Sequence, residues 1–213
     1  MLKAILATII YMMSLFSPQP VVHKNKVLAQ VNYSLSNRYG NTYVNDVFTD
    51  NILLTLAYMG GKIKPGQNIP WDSVKKSGSN TLYLKPGETF AFHDNALSKY
   101  KKSVVATTNA HFTSSEGFKS DGWLVGDGVC HLASFMYALT KKAGLASEAP
   151  TNHDFARIPD VPRELGVSIY YTPNDLASST LQNLYITNSL NKPIAFIFTH
   201  DKGNLNIKVE QLN

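Results

Sequence analysis

The chain has 213 residues, 44% of them hydrophobic and 16% charged, enough for one sizeable core and short for two, so a single domain is expected. One cysteine excludes an intrachain disulfide and with it the disulfide-stapled class of small secreted domains. The formal charge of +5 favours anionic surroundings such as wall polymers, but its lysines are dispersed over solvated faces without a nucleic-acid motif, which argues against nucleic acid as a partner.

In chain order, a basic start at Lys3, an apolar run from Ala4 to Phe16 and a break at Pro18 and Pro20 form a signal-peptide layout. The run is roughly 13 residues, short of the about 20 that cross a bilayer. Residues 1–29, ending at the small-residue site Val27-Leu28-Ala29, are therefore read as a signal peptide or N-terminal membrane anchor, the only segment expected to meet a membrane. Residues 30–44 are polar, rich in Asn and Ser and without a sustained period, and read as a linker into a domain at 45–213.

A helix capped by Asp46 or Thr49 is expected to carry Ile52, Leu53, Leu56 and Tyr58 and to close at Gly60-Gly61. A loop or short helix near Trp71 precedes two β-like runs, Thr81 to Leu84 and Glu88 to Phe92, around the turn residues Pro86-Gly87. Ser98 to Ser120 has no clear period. Gly126-Asp127-Gly128 then leads into the best-marked helix, Cys130 to Lys142, with Leu132, Phe135, Met136 and Leu139 on one face and Gly144 beyond its end. Four β-rich runs follow, at Val167 to Tyr171, Leu181 to Thr187, Pro193 to Thr199 and Leu205 to Gln211. The last two, joined through Asp201 to Asn204, predict a C-terminal hairpin with one wet face. Together these predict an α+β domain with the cysteine-bearing helix packed on a mainly antiparallel sheet.

Chemistry concentrates at Cys130. A thiol at a helix start meets unpaired N–H groups and the helix dipole, which favour a thiolate and can hold an oxyanion. A free cysteine is also commonly a small buried residue on an apolar face, and that alternative stays open. His131 points about 100° away from Cys130 on a helix and is a poor partner. His153, beyond a Pro150-containing connection, can fold back towards the helix start and act as base. His93 and His111 are further candidates, and His200 is expected at the surface. Asp154, Asn174, Asp175 and Asn188 are candidates to orient His153. The scattered histidines lack ligand spacing, so no metal and no cofactor is expected.

Leu84-Lys85-Pro86-Gly87-Glu88-Thr89-Phe90-Ala91-Phe92 resembles the Pro-Gly-Glu segment of VanW-like domains, and Gly126-Asp127-Gly128-Val129-Cys130-His131 resembles their glycine-rich cysteine signature. Asn152-His153, then Leu184 to Asn188 followed by Pro193-Ile194, resemble their later histidine step and closing strand pair. The order agrees, and the likeness runs from about Asn45 to Leu212. The resemblance implies cysteine-dependent L,D-transpeptidation of peptidoglycan stem peptides. It puts the nucleophile on Cys130 and the base on His153; the residues themselves place the expected oxyanion or supporting groups around Asp127, Gly128, Val129, His131 and Asn188. Three positions depart from the family pattern. His131 stands where glutamine is usual, Asp127 replaces a glycine, and the acid expected before the central strand is displaced to Glu164 or absent around Gly166. A wall-binding module without turnover, carboxypeptidase-like trimming, and a cysteine peptidase with a long cleft are the competing expectations.

Overall fold

The structure is a computed structural model that describes residues 24–201 and 203–213. The apolar run at Ala4 to Phe16 lies outside the described residues. Two four-stranded sheets organise the domain, with strand orders β1-β8-β7-β2 and β4-β3-β6-β5. The first comprises β1 (Lys26–Ser34), β2 (Gly78–Leu84), β7 (Ile194–Asp201) and β8 (Asn204–Gln211), antiparallel throughout. The second comprises β3 (Thr89–Ala91), β4 (Val104–Ala106), β5 (Ala146–Glu148) and β6 (Tyr185–Thr187), with β3 and β4 its parallel pair.

The C-terminal hairpin forms as its alternation predicts. Leu205, Ile207 and Val209 are fully buried while Asn206, Lys208 and Glu210 stay partly exposed. Two helices cover the sheet: α1 (Thr42–Met59) and α3 (Val129–Lys142). Helix α3 buries Leu132, Phe135, Met136 and Leu139 completely, each side chain contributing roughly 1.5–3 kcal/mol of burial free energy. It packs on β1 and β8, where the Tyr33 ring stacks on Phe135 at 3.9 Å and the Tyr33 hydroxyl donates to the Phe135 carbonyl. Short helices α2 (Trp71–Lys75) and α4 (Leu176–Leu181) complete the α+β domain.

Residues 30–44 do not form a linker. Their first third, 30–34, lies in β1, which pairs with β8 from Lys26 to Ser34 and buries Ala29 and Tyr33. A 3-10 turn (Leu35–Asn37) follows, and Asn41 caps α1 by accepting a hydrogen bond from the Val44 N–H. The polar composition belongs to the exposed face of an edge strand, on which Gln30 and Asn32 meet Asn206 and Asn204. The residues Val27, Leu28 and Ala29 therefore belong to the fold as well.

Val167 to Tyr171, expected as a strand, is instead an extended segment stitched to its neighbours. Val167 N–H donates to Ser134 Oγ, Ser168 N–H to the Thr151 carbonyl and Tyr170 N–H to the Gln182 carbonyl. The expected strand over Leu181 to Thr187 shortens to Tyr185–Thr187, because α4 occupies the residues before Gln182. No helix among the described residues is long and apolar enough to cross a membrane.

Candidate functional site

The loop entering α3 is fixed by glycine geometry and one buried amide. Gly128, the N-cap, has φ of +94°, and a Cβ there would lie 2.4 Å from the Phe48 carbonyl oxygen on α1. Only glycine allows both the left-handed conformation and that close approach. Asn51 of α1, fully buried, donates to the carbonyls of Lys119 and Asp127 and accepts from Lys119 N–H. The cysteine loop is thereby tied to the core.

Cys130 lies in the first turn of α3, and its Sγ is held by one residue. Ile169 N–H donates to it at 3.4 Å, and the thiol faces the Ile169 carbonyl at 3.6 Å. Burial is the largest influence on the thiol and pushes its pKa up to about 11. The Ile169 contact pulls it down and nearby Asp127 raises it further. The expected thiolate is therefore not the resting state; desolvation outweighs the helix terminus. Asp127, itself desolvated, has its carboxyl pushed up to about 6 and accepts from Asp121 N–H.

Cys130 and His153 line one cavity of about 560 Å³ together with Asp127, Gly128, Val129 and His131. His153 is buried, with Nδ1 3.2 Å from the Ala156 carbonyl. That contact assigns the proton to Nδ1 and leaves Nε2 as the basic nitrogen. Burial lowers the His153 pKa, so the ring is neutral at neutral pH. No hydrogen bond joins Cys130 to His153 among the described residues. Its orienting group is thus a backbone carbonyl, not one of the expected polar side chains. Asp154 acts on it only through its charge, and Asp175 caps α4.

Of the first-turn N–H groups, Val129 donates to the Gly126 carbonyl and Leu132 to Gly128. Those of Cys130 and His131 have no backbone acceptor among the described residues, as the first turn of a helix leaves them. His131 is buried, its ring edge-on to Phe48 at 4.9 Å, and its Nδ1 has no partner among the described residues. Burial first, then the charges of Arg38 and His153, pull its pKa down to about 3.

Other expected residues lie elsewhere. Asn188 is fully buried beyond β6, donating to the Leu84 and Lys192 carbonyls and accepting from Leu190 N–H, a structural role away from the cavity. His200 is buried, because its β7 position faces inward. His93 is buried against Asn183, with Nε2 at the Gln182 carbonyl. His111 does line the cavity, stacked on Tyr171 at 4.0 Å and bonded to Asp94. Glu164 sits in a 3-10 turn off the cavity. Gly166 has no room for an acid, since a Cβ there would lie 2.8 Å from the His153 carbonyl oxygen.

Two features had no sequence expectation. Arg38 is fully buried, lines the cavity, and bonds Asp160 and the Pro159 carbonyl. The mouth carries exposed apolar side chains, led by Trp123 at 91% and Phe155 at 72% exposure. The only signal for Arg38 was arginine itself, in a chain whose cations are almost all lysine.

A family model described as VanW like protein matches residues 73–210, spanning β2, the cysteine loop, α3, His153 and most of the final hairpin. The chain belongs to that family. VanW-like proteins are associated with the cell envelope and related by name to vancomycin resistance. No curated protein and no solved structure matches the chain. The VanW match begins after β1, Arg38 and α1, so the inner wall of the cavity is completed by residues outside the matched span.

Proposed function

We propose that this VanW-like protein is exported by its N-terminal segment and acts in the envelope as a cysteine-dependent acyl transferase on peptidoglycan stem peptides. The observation that carries the proposal is the sharing of one cavity by the Cys130 thiol, the neutral His153 ring and the free N–H groups of Cys130 and His131. His153 Nε2 takes the thiol proton as Sγ attacks a stem carbonyl, forming the S–C bond with the oxygen held by the helix-start N–H groups. The peptide C–N bond then breaks and the proton passes from His153 to the leaving amine. An amine of a second stem attacks the thioester and gives its proton to His153, which returns one to sulfur as the C–S bond breaks. Water in place of the amine gives trimming. A cavity of about 560 Å³ suits a few residues better than the extended chain a protein-cleaving peptidase must hold.

Intact-mass analysis of the protein with defined tetrapeptide and pentapeptide stems tests this. An adduct equal in mass to the stem minus its released terminal amino acid is expected on Cys130, absent in Cys130→Ala and greatly slowed in His153→Ala. Stem binding without any adduct in the unsubstituted protein overturns acyl transfer. A binding module is the second reading, favoured by the thiol's two contacts with Ile169 and its lack of a hydrogen bond to His153.

A further inference from the structure

Two buried polar atoms of cavity-lining residues lack partners among the described residues: His131 Nδ1 and Arg38 Nε. Buried groups of this kind normally find a partner, and an orphan adjoining a cavity calls for a ligand or water. His131 is 5% exposed and Arg38 1%. The other Arg38 nitrogens are engaged, Nη1 with the Pro159 carbonyl and Nη2 with Asp160, while the guanidinium lies over the Phe135 ring at 5.0 Å. Beside them the 14-residue helix α3 begins, with the Cys130 and His131 N–H groups unengaged among the described residues. A guanidinium, a donor-capable imidazole and a helix N-terminus thus converge on one wall, and the chemistry common to all three is acceptance of an anion.

We infer that this wall is a carboxylate subsite next to Cys130, formed by His131, Arg38 and the first turn of α3, for the free carboxyl end of a peptide. The orphan atoms carry the subsite itself. Its assignment to the leaving end of the donor rests on the acyl-transfer reading, in which a terminal residue one bond beyond the attacked carbonyl brings its carboxylate close to the thiol. Such a subsite makes the chain act from a free C-terminus and explains a histidine where the family pattern has glutamine. Glutamine offers a flexible amide that can turn either its donor or its acceptor to the cavity, whereas the neutral histidine ring presents an N–H donor on a rigid frame when its proton sits on Nδ1.

The test is titration of the protein with D-alanine and with D-alaninamide, following the backbone amide resonances of Cys130 and residue 131. D-Alanine is expected to shift both resonances saturably and to bind about tenfold or more tightly than the amide, a preference sharply reduced in His131→Gln. Equal response to acid and amide, no saturable response to D-alanine, or undiminished preference in His131→Gln overturns the subsite. Failure of acyl transfer shows separately, as absence of the Cys130 adduct with stem peptides, and leaves this measurement standing.

Discussion

Alkylation of Cys130 by iodoacetamide measures its resting state without ambiguity, because the chain has one cysteine. The thiol is pushed from an ordinary value of 9.0 up to about 11, and two units lower the thiolate fraction at neutral pH by about 100-fold. A more basic thiolate is more nucleophilic, which restores about eightfold, so the folded protein should react at least about tenfold more slowly than the same chain in guanidinium. The rate should climb about tenfold per pH unit between pH 7 and 10. Asp127→Asn removes a charge that raises the thiol and should accelerate alkylation above about pH 6, where Asp127 is ionised, with little effect below. The assay is intact mass against time across pH. A rate already level by pH 8, or an inflection between pH 6 and 7, would mean a thiolate–imidazolium pair with His153 and refute the desolvated-thiol account.

Gly128→Ala must place a Cβ against Phe48 backbone while keeping φ at +94°; the strain and overlap should cost about 3 kcal/mol or more, read as a Tm drop of about 6 °C or more, and an unchanged Tm would refute the close packing of α1 on the loop. His93 is buried neutral with its pKa pulled down to about 4 by burial, so the unfolded chain binds the extra proton between that value and about 6.5. Stability present above pH 6.5 is therefore lost as pH falls towards 4, by up to about 3 kcal/mol. Urea midpoints should fall across that window and flatten in His93→Gln. Cleavage after Ala29 would remove the first four residues of β1 and its buried Ala29, so N-terminal sequencing of exported protein should place any cleavage at or before Lys26.

The readable elements were those whose burial pattern is regular in one direction. Helix α3 differs from its expected start by one residue because its four core side chains face one sheet, and β8 alternates because one face is wet. Helix α1 begins four or more residues before either expected cap. It is buried through most of its length, including Asn51 and Thr55, so its pattern has no sharp polar edge to mark a start. β1 escaped notice because its outward residues are asparagine and glutamine, a loop-like composition, although Ala29 and Tyr33 alternate inward beneath it. The cavity was half legible for the same reason. Cys130 and His153 stand in motifs, whereas Arg38 reaches the site from the segment read as linker and Ile169 contributes backbone, which leaves no residue-type signal.

For the exported protein proposed above, a lone cysteine is a liability in proportion to its thiolate fraction, since oxidation and nucleophilic attack use the same anion. The features that make Cys130 a poor resting nucleophile lessen that liability: desolvation, the Ile169 backbone clamp and the neighbouring Asp127 carboxylate. They are also features a bound stem can alter. On the acyl-transfer reading, a peptide entering between Ile169 and the start of α3 competes for the same backbone groups, brings its carbonyl to the free N–H groups, and excludes water that would otherwise screen His153. On this account thiol activation belongs to the loaded cavity. Stem peptide should then change the pH dependence of Cys130 chemistry while leaving the fold's melting profile nearly parallel, a combination a purely structural cysteine has no means to produce.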